Sequence, residues 1–383
     1  MQAYLTGLAS LIVAVAALVS LSEVNAQQCS ETGDYLTSFS CGIAYTNQTN
    51  GTTVRNYTLL AEETHHIPIT MAENSTDQII FPAWTYNGTV PGPTLRMTEG
   101  DIVNIKVINS PQSEKHHSMH MHSIHPTAMD GTTGPAASIA PGDSFTYTFV
   151  AGPSGVYPYH CHVSPIVDHI NRGLYGMLII DPKEPRAAAT EMVMMMNSYD
   201  LDLNQEMQPT ARPPNAEEAN QIMYPPVPPT LEEETEEQEV ESGDDAESLA
   251  AGRPELEIER DNEIYTVNGK AFEYRDNPIE LVVGQPVRIY LASMTEFDPV
   301  NNLHLHSGMF NYTASGTDDS APIETDIVTL GQGDRGIIEF TPQNKGMMMF
   351  HAHVNEFADL GWMSMFNVVS NATNSSTTAY SRY

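Results

Sequence analysis

Positive charge is what this sequence most lacks. Lys and Arg number 16 against 49 Asp and Glu, a formal net charge of -33 at pH 7 over 383 residues. No basic stripe exists to neutralise phosphates, which excludes nucleic acid as a partner. The apolar run Tyr4–Leu21 also has no Lys or Arg before it, unlike the usual charged lead of an export signal. The run ends in Ser-Glu-Val-Asn-Ala26, whose final small residue suits signal-peptidase cleavage, so residues 1–26 read as a signal peptide. An uncleaved membrane anchor is the competing reading, because the run approaches spanning length. Cysteine is scarce as well: with 3 in the chain, Cys29 and Cys41 lie close enough together to pair in an oxidising compartment, and Cys161 is left over. No nucleophile-and-base motif or phosphate-cradling Gly loop stands out.

Export places the chain in an extracellular, periplasmic or pseudo-periplasmic space, or on a membrane through its N-terminal segment. Sequons at Asn47, Asn50, Asn56, Asn74, Asn87, Asn311, Asn371 and Asn374 fit a glycosylated, secreted surface, although such triplets also arise by chance in Asn/Thr-rich sequence. Much of the acidic excess sits in Glu232–Glu247, where like charges repel and few apolar residues offer a core, so the segment is expected to be disordered.

Short Val/Ile/Tyr/Thr runs separated by Gly and Pro signal an all-β chain of sandwich domains. The pattern occurs twice. "GPTLRMTEGDIVNIKVIN" followed by "HSMHMHSIHP" is echoed by "NPIELVVGQPVRIYLAS" followed by "NNLHLHSGMF". "GDSFTYTFVAGPSGVYPYHCHV" is echoed by "GDRGIIEFTPQNKGMMMFHAHV". The predicted organisation is an N-terminal extension at 27–52 holding the disulfide, domain one at 53–183, domain two at 189–370 interrupted by an acidic insertion at 205–261, and a tail at 371–383.

Random placement of 14 His gives on the order of half a His-x-His pair, yet four occur, at 120/122, 160/162, 304/306 and 351/353. Residues i and i+2 of a strand share a face, so each pair presents two imidazoles together, and imidazole suits copper and zinc. Cys161 lies between His160 and His162 and must therefore point the other way. His117, three residues before His120, falls on the Cys161 side, and His169 follows across a turn containing Pro165. Two imidazoles and a thiolate make a trigonal type 1 copper site; a buried structural thiol is the bland alternative.

The run His117-x-x-His120-x-His122, then His160-Cys161-His162, His169 and "GLYG", and later "HLH" and "FHAHVNEFADLGWMSMFNV", resembles the two-domain multicopper oxidases and the related copper nitrite reductases. The resemblance covers about Asp77–Val369 and implies two cupredoxin-like Greek-key β-sandwich domains in tandem. It implies a type 1 copper at His117, Cys161 and His169, and a trinuclear cluster fed by all four pairs. His120 and His304 correspond to the type 2 ligands, and His122, His160, His162, His306, His351 and His353 to the type 3 ligands, so copper is expected at four per chain. It also implies that domain one of one subunit faces domain two of the next, closing a homotrimer.

Departures from the pattern sharpen these expectations. Leu174 stands at the axial position of the type 1 site where a methionine is usual, which predicts a relatively high reduction potential. Met177, nearby, reads as strand core. Asn301 and Ala352 occupy the places equivalent to His117 and Cys161, so domain two can form no second blue site. Asp130 resembles the family's acidic proton shuttle, with an Asp-Gly turn as the plain alternative. His125 falls near the site but outside the ligand set, and His65 and His66 read as surface residues. The runs "MVMMM" and "GMMMF" are expected to be buried strands and not Cu(I) sites. The expected activity is reduction of dioxygen to water with electrons from an unidentified reductant or cupredoxin donor. Nitrite reduction and a non-enzymatic copper or electron-transfer role are the alternatives; His162, usually missing in nitrite reductases, favours the oxidase.

Overall fold

A computed structural model describes residues 29, 35–47, 49, 51–70, 78–201, 261–317 and 321–370. The predicted signal peptide, the sequons at Asn50, Asn74, Asn371 and Asn374, the acidic insertion up to residue 260 and the C-terminal tail lie outside the described residues.

In chain order the first half runs β1 (Ile43–Thr46), β2 (Thr53–Thr70), β3 (Gln78–Tyr86), β4 (Leu95–Thr98), β5 (Ile102–Asn109), β6 (His120–Met121), β7 (Ser144–Val150), β8 (Gly155–His160), the short helix α1 (Ile166–Asn171) and β9 (Tyr175–Asp181). One sheet has the order β1-β2-β5-β7 with β3 also on β2, and the facing sheet has β4-β9-β8-β6. Alternation explains the sandwich: along β5, Val103, Ile105 and Val107 turn inward and their neighbours outward. They meet Met119, Met121, Tyr159, Leu174 and Leu178 in the first core. The stretch expected as an N-terminal extension supplies β1 to this sandwich, and Cys29 and Cys41 are joined in a disulfide.

The second half repeats the plan with β10 (Thr190–Tyr199), β11 (Ile264–Val267), helix α2 (Glu273–Asp276), β12 (Ile279–Val282), β13 (Val287–Ser293), β14 (Asn301–Leu305), β15 (Phe310–Ala314), β16 (Ile323–Thr325), β17 (Ile327–Leu330), β18 (Arg335–Phe340), β19 (Gly346–His351), helix α3 (Asn355–Asp359) and β20 (Met363–Val369). Its sheets are β11-β10-β13-β18-β15-β16 and β12-β20-β19-β14-β17. In both halves a long strand pairs parallel with a central strand of its sheet, β2 with β5 and β10 with β13, and the ligand-bearing strands pair antiparallel, β6 with β8 and β14 with β19. These are two cupredoxin-like domains in tandem.

The seam between the domains is a third apolar cluster. Met177 and Ile179 of β9, Val193 and Met195 of β10, and Tyr290 and Ala292 of β13 fill it, while Met192, Met194, Met196, Ile289 and Leu291 of the same strands face the core of domain two. Strands buried on both faces read as continuous apolar runs, which explains "MVMMM". "GMMMF" behaves differently from expectation: Met348 is buried but Met347 is exposed, because β19 is covered on one face only. A buried ionic knot locks the seam. Arg96 on β4 bonds Asp181 (2.7 Å) and Glu191 (2.7 Å), and Glu191 also takes Arg288 (3.0 Å) and the Tyr290 hydroxyl (2.7 Å). These partners outweigh burial and hold the Glu191 carboxyl down at about 2.

Candidate metal centre

Cys161 follows the end of β8, and its sulfur turns into domain one, 3.1 Å from His169 Nδ1 and 3.9 Å from His117 Nδ1. All three side chains are buried. The sequence predicted His169 beyond a turn; it sits in α1, and its carbonyl accepts the Leu174 amide while the Leu174 carbonyl accepts the Cys161 amide. The helix thereby folds back onto the cysteine. Trp84 packs edge-on against both imidazoles, with ring centroids 5.6 Å from His117 and 4.9 Å from His169. Leu174 is fully buried in the same core as Cys161, whereas Met177 faces the seam, as expected for a core methionine.

The sequence reading missed Glu63. Its carboxylate accepts His117 Nε2–H at 3.0 Å and the backbone amides of Lys115 (2.7 Å) and Glu114 (3.0 Å). Burial opposes its ionisation, but these donors outweigh burial and hold the carboxyl below its ordinary range. Glu63 is 54 residues from His117 in sequence, and no local motif links them. Burial pushes the Cys161 thiol up to about 11 and the His169 imidazole down to about 3. Two imidazoles aimed at a dry thiol fit a type 1 copper site, with metal binding displacing the thiol proton.

On the other side of β8, His120, His122, His160 and His162 form one imidazole cluster, with ring centroids of 5.2 Å for 120–122 and 120–160, 5.3 Å for 120–162 and 5.4 Å for 122–160. In domain two His304, His306, His351 and His353 repeat it, at 4.8 Å for 304–306, 5.2 Å for 304–353 and 5.1 Å for 306–351. Cross-strand register makes the clusters, since His120 sits opposite His160 and His304 opposite His351. Two Nε2 atoms converge in each: 3.3 Å between His122 and His160, and 3.0 Å between His306 and His351.

Nδ1–H groups are spoken for. His120 donates to the Asp130 carbonyl (2.8 Å), His160 to Cys161 (2.9 Å), His304 to Asp326 (3.0 Å) and His351 to Ala352 (2.6 Å). Each bond leaves Nε2 as the nitrogen available to a metal. Burial, then neighbouring imidazoles, bring His122 to about 3; burial similarly lowers His160 to about 4 and lowers His120 and His351. These four rings are therefore held in the neutral form that binds metal.

Asp130 occupies the expected Asp-Gly turn and also borders the imidazole cluster. It ends a 3-10 turn ahead of Gly131, whose φ of +77° and a Cβ position only 2.1 Å from the Met119 carbonyl admit glycine alone. Its carboxylate, held low first by the Thr132 hydroxyl, also lies 3.4 Å from both His120 Nδ1 and His125 Nε2. Asp326, unmarked in the sequence, stands beside His304 in the same way at 3.7 Å. Gly333 of domain two, at φ +78°, makes room for His122, whose Cε1 lies 2.9 Å from where a Cβ would be. His125 Nε2–H donates to the Met121 carbonyl, and His65 pairs with Glu62.

Two profiles of the multicopper oxidase family match, one over residues 69–185 and the other over residues 240–372. A crystal structure of a multicopper oxidase superposes with a TM-score of 0.67 at 36% identity, covering 88% of this chain and 95% of that one. The chain belongs to the multicopper oxidase family. Members of this family are copper oxidoreductases, so the residues and the kinship agree on the metal. The chain is also 39% identical over 110 residues to the copper-containing nitrite reductase of Neisseria meningitidis, which is 28% of this chain and 27% of the reductase. It is 39% identical over 105 residues to the L-ascorbate oxidase of Cucumis sativus, 26% of this chain and 17% of that oxidase. These matches span about a quarter or less of the curated relatives' length.

Proposed function

We propose that this multicopper oxidase takes electrons singly from a reductant at a type 1 site of His117, Cys161 and His169 and reduces dioxygen to water at a trinuclear site built from the four His-x-His pairs. The observation that carries the proposal is completeness. All eight imidazoles gather into two clusters of four, while the buried thiol belongs to a separate pair of histidines. Bound copper supplies one-electron exchange at the thiolate and multi-electron reduction of dioxygen at the imidazoles.

The remaining work falls to the chain. His160 and His162 flank Cys161 and connect its sulfur to the cluster through a few covalent bonds. Each dioxygen needs four electrons and four protons to give two waters, and we assign proton delivery to the Asp130 carboxylate. The two clusters belong to different domains, and His306 and His353 are exposed. Docking domain one of one subunit on domain two of the next joins four imidazoles to four, and such a head-to-tail contact closes as a homotrimer. An exported location follows from the N-terminal sequence.

The test is a copper count per chain with optical and paramagnetic spectra, followed by oxygen and nitrite consumption with a reduced dye. About four coppers and oxygen uptake support the oxidase. About two coppers with nitrite loss, the activity named for the Neisseria relative, would replace it, and one copper with neither would leave an electron carrier. A monomer with a complete cluster would overturn the assembly.

A further inference from the structure

We infer that Glu63 is a positioning residue of the type 1 site: its carboxylate holds the outer nitrogen of His117 so that the inner one faces the Cys161 sulfur, and its charge lowers the site's reduction potential. The inference rests on reading His117, Cys161 and His169 as a type 1 copper site.

Strand β2 stays in register with β5 up to Ala61, opposite Asn109, and its pairing with β3 then shifts between Glu62 and His65. Glu63 lies in this irregularity, with its side chain 8% exposed, and takes donors from Glu114, Lys115 and His117. A loop anchor alone would need only the two amides; the imidazole bond is additional. It fixes the protonated nitrogen as Nε2 and leaves Nδ1 toward the sulfur.

The duplicated domain is an internal control. Its pairing of Met196 with Ser293 corresponds to that of Ala61 with Asn109, so Ser198 stands in the place of Glu63. There Asn301 replaces His117 and bonds Thr295, and the Ser198 hydroxyl is buried without a hydrogen-bond partner. The strand pairing survives without the carboxylate; what disappears with it is the imidazole. A charge-assisted bond to the outer nitrogen makes imidazole a more basic ligand, which favours the oxidised metal. Glu63 therefore acts against Leu174, whose lack of a thioether raises the potential.

The experiment compares the copper-loaded full chain with its Glu63→Gln variant by optical spectrum, copper content and redox titration. The variant is expected to keep its copper and thiolate absorption while the ratio of reduced to oxidised site at a fixed solution potential rises roughly fivefold to tenfold. A folded, blue Glu63→Gln protein with unchanged potential overturns the inference. Should the variant not fold, pulsed paramagnetic resonance on the unaltered protein decides. Unequal couplings from the outer nitrogens of the two type 1 imidazoles are expected, and equal couplings overturn it. Absence of thiolate-to-copper absorption in the unaltered protein is a separate result, which removes the type 1 reading itself.

Discussion

Domain one and domain two share the order and pairing of their central strands and a four-imidazole cluster, but only domain one encloses a thiol site. Hydrogen bonding fixes the correspondence position by position. The Ala352 amide donates to the Trp362 carbonyl as Cys161 does to Leu174, and the Trp362 amide donates to Phe357 as Leu174 does to His169. Domain two therefore replaces His117, Cys161, His169, Leu174 and Glu63 with Asn301, Ala352, Phe357, Trp362 and Ser198. Phe357 and the fully buried Trp362 fill with apolar volume the space that domain one lines with ligands. The fold needs a packed interior there and is indifferent to whether donors or rings supply it, whereas four outer imidazoles are present in both halves.

The comparison breaks most severely at the one thiol. Cys161→Ser is expected to abolish the blue absorption and to lower donor-dependent oxygen uptake at least about 100-fold, while the imidazole clusters still retain copper. Copper count and paramagnetic spectra check this, and blue colour in the serine variant would sink the assignment.

The seam that aligns the two halves comes next. Glu191→Gln is expected to cost about 3 kcal/mol in denaturant unfolding, because it removes the carboxylate shared by Arg96 and Arg288 and leaves each with one acidic partner, Asp181 and Glu339. The folded carboxyl lies at about 2, below its unfolded value, so its stabilisation is complete above the ordinary carboxylate range and is lost as pH falls toward about 2. The variant should therefore lose less stability than the unaltered protein across that acid window, and parallel curves would show that Glu191 carries no such linkage.

Leu174→Met is a smaller change, confined to domain one. A thioether at the axial position is expected to lower the reduction potential, shifting the reduced fraction severalfold in redox titration. A rise would show that Leu174 is not axial to the metal.

The least effect is expected from grafting ligands onto domain two. Asn301→His with Ala352→Cys should leave the optical spectrum unchanged, since Phe357 and Trp362 still occupy the remaining positions. A second blue band would mean that the outer scaffold alone suffices to build the site.

Much of the site was legible because its signals are local. The four His-x-His pairs and the single Cys161 depend on the two-residue period of a strand, which any reader of the chain can count, and the duplication revealed the domain repeat. Glu63 and Asp326 carried no such signal. Each reaches its histidine across strand pairings whose register is set by the whole sandwich, and isolated acidic residues in so acidic a chain look alike. Met347 was misread for a related reason, as a methionine run does not reveal which face of β19 is covered.

The sequence by itself determined which atoms can bind metal and on which side of each strand they fall, since covalent geometry and the pleat settle both. Only the tertiary structure decided which of those atoms meet, which nitrogen of His120, His160, His304 and His351 is left available, and that the carboxylate of Glu63 backs His117, because contacts across many residues are fixed by sheet register and core packing.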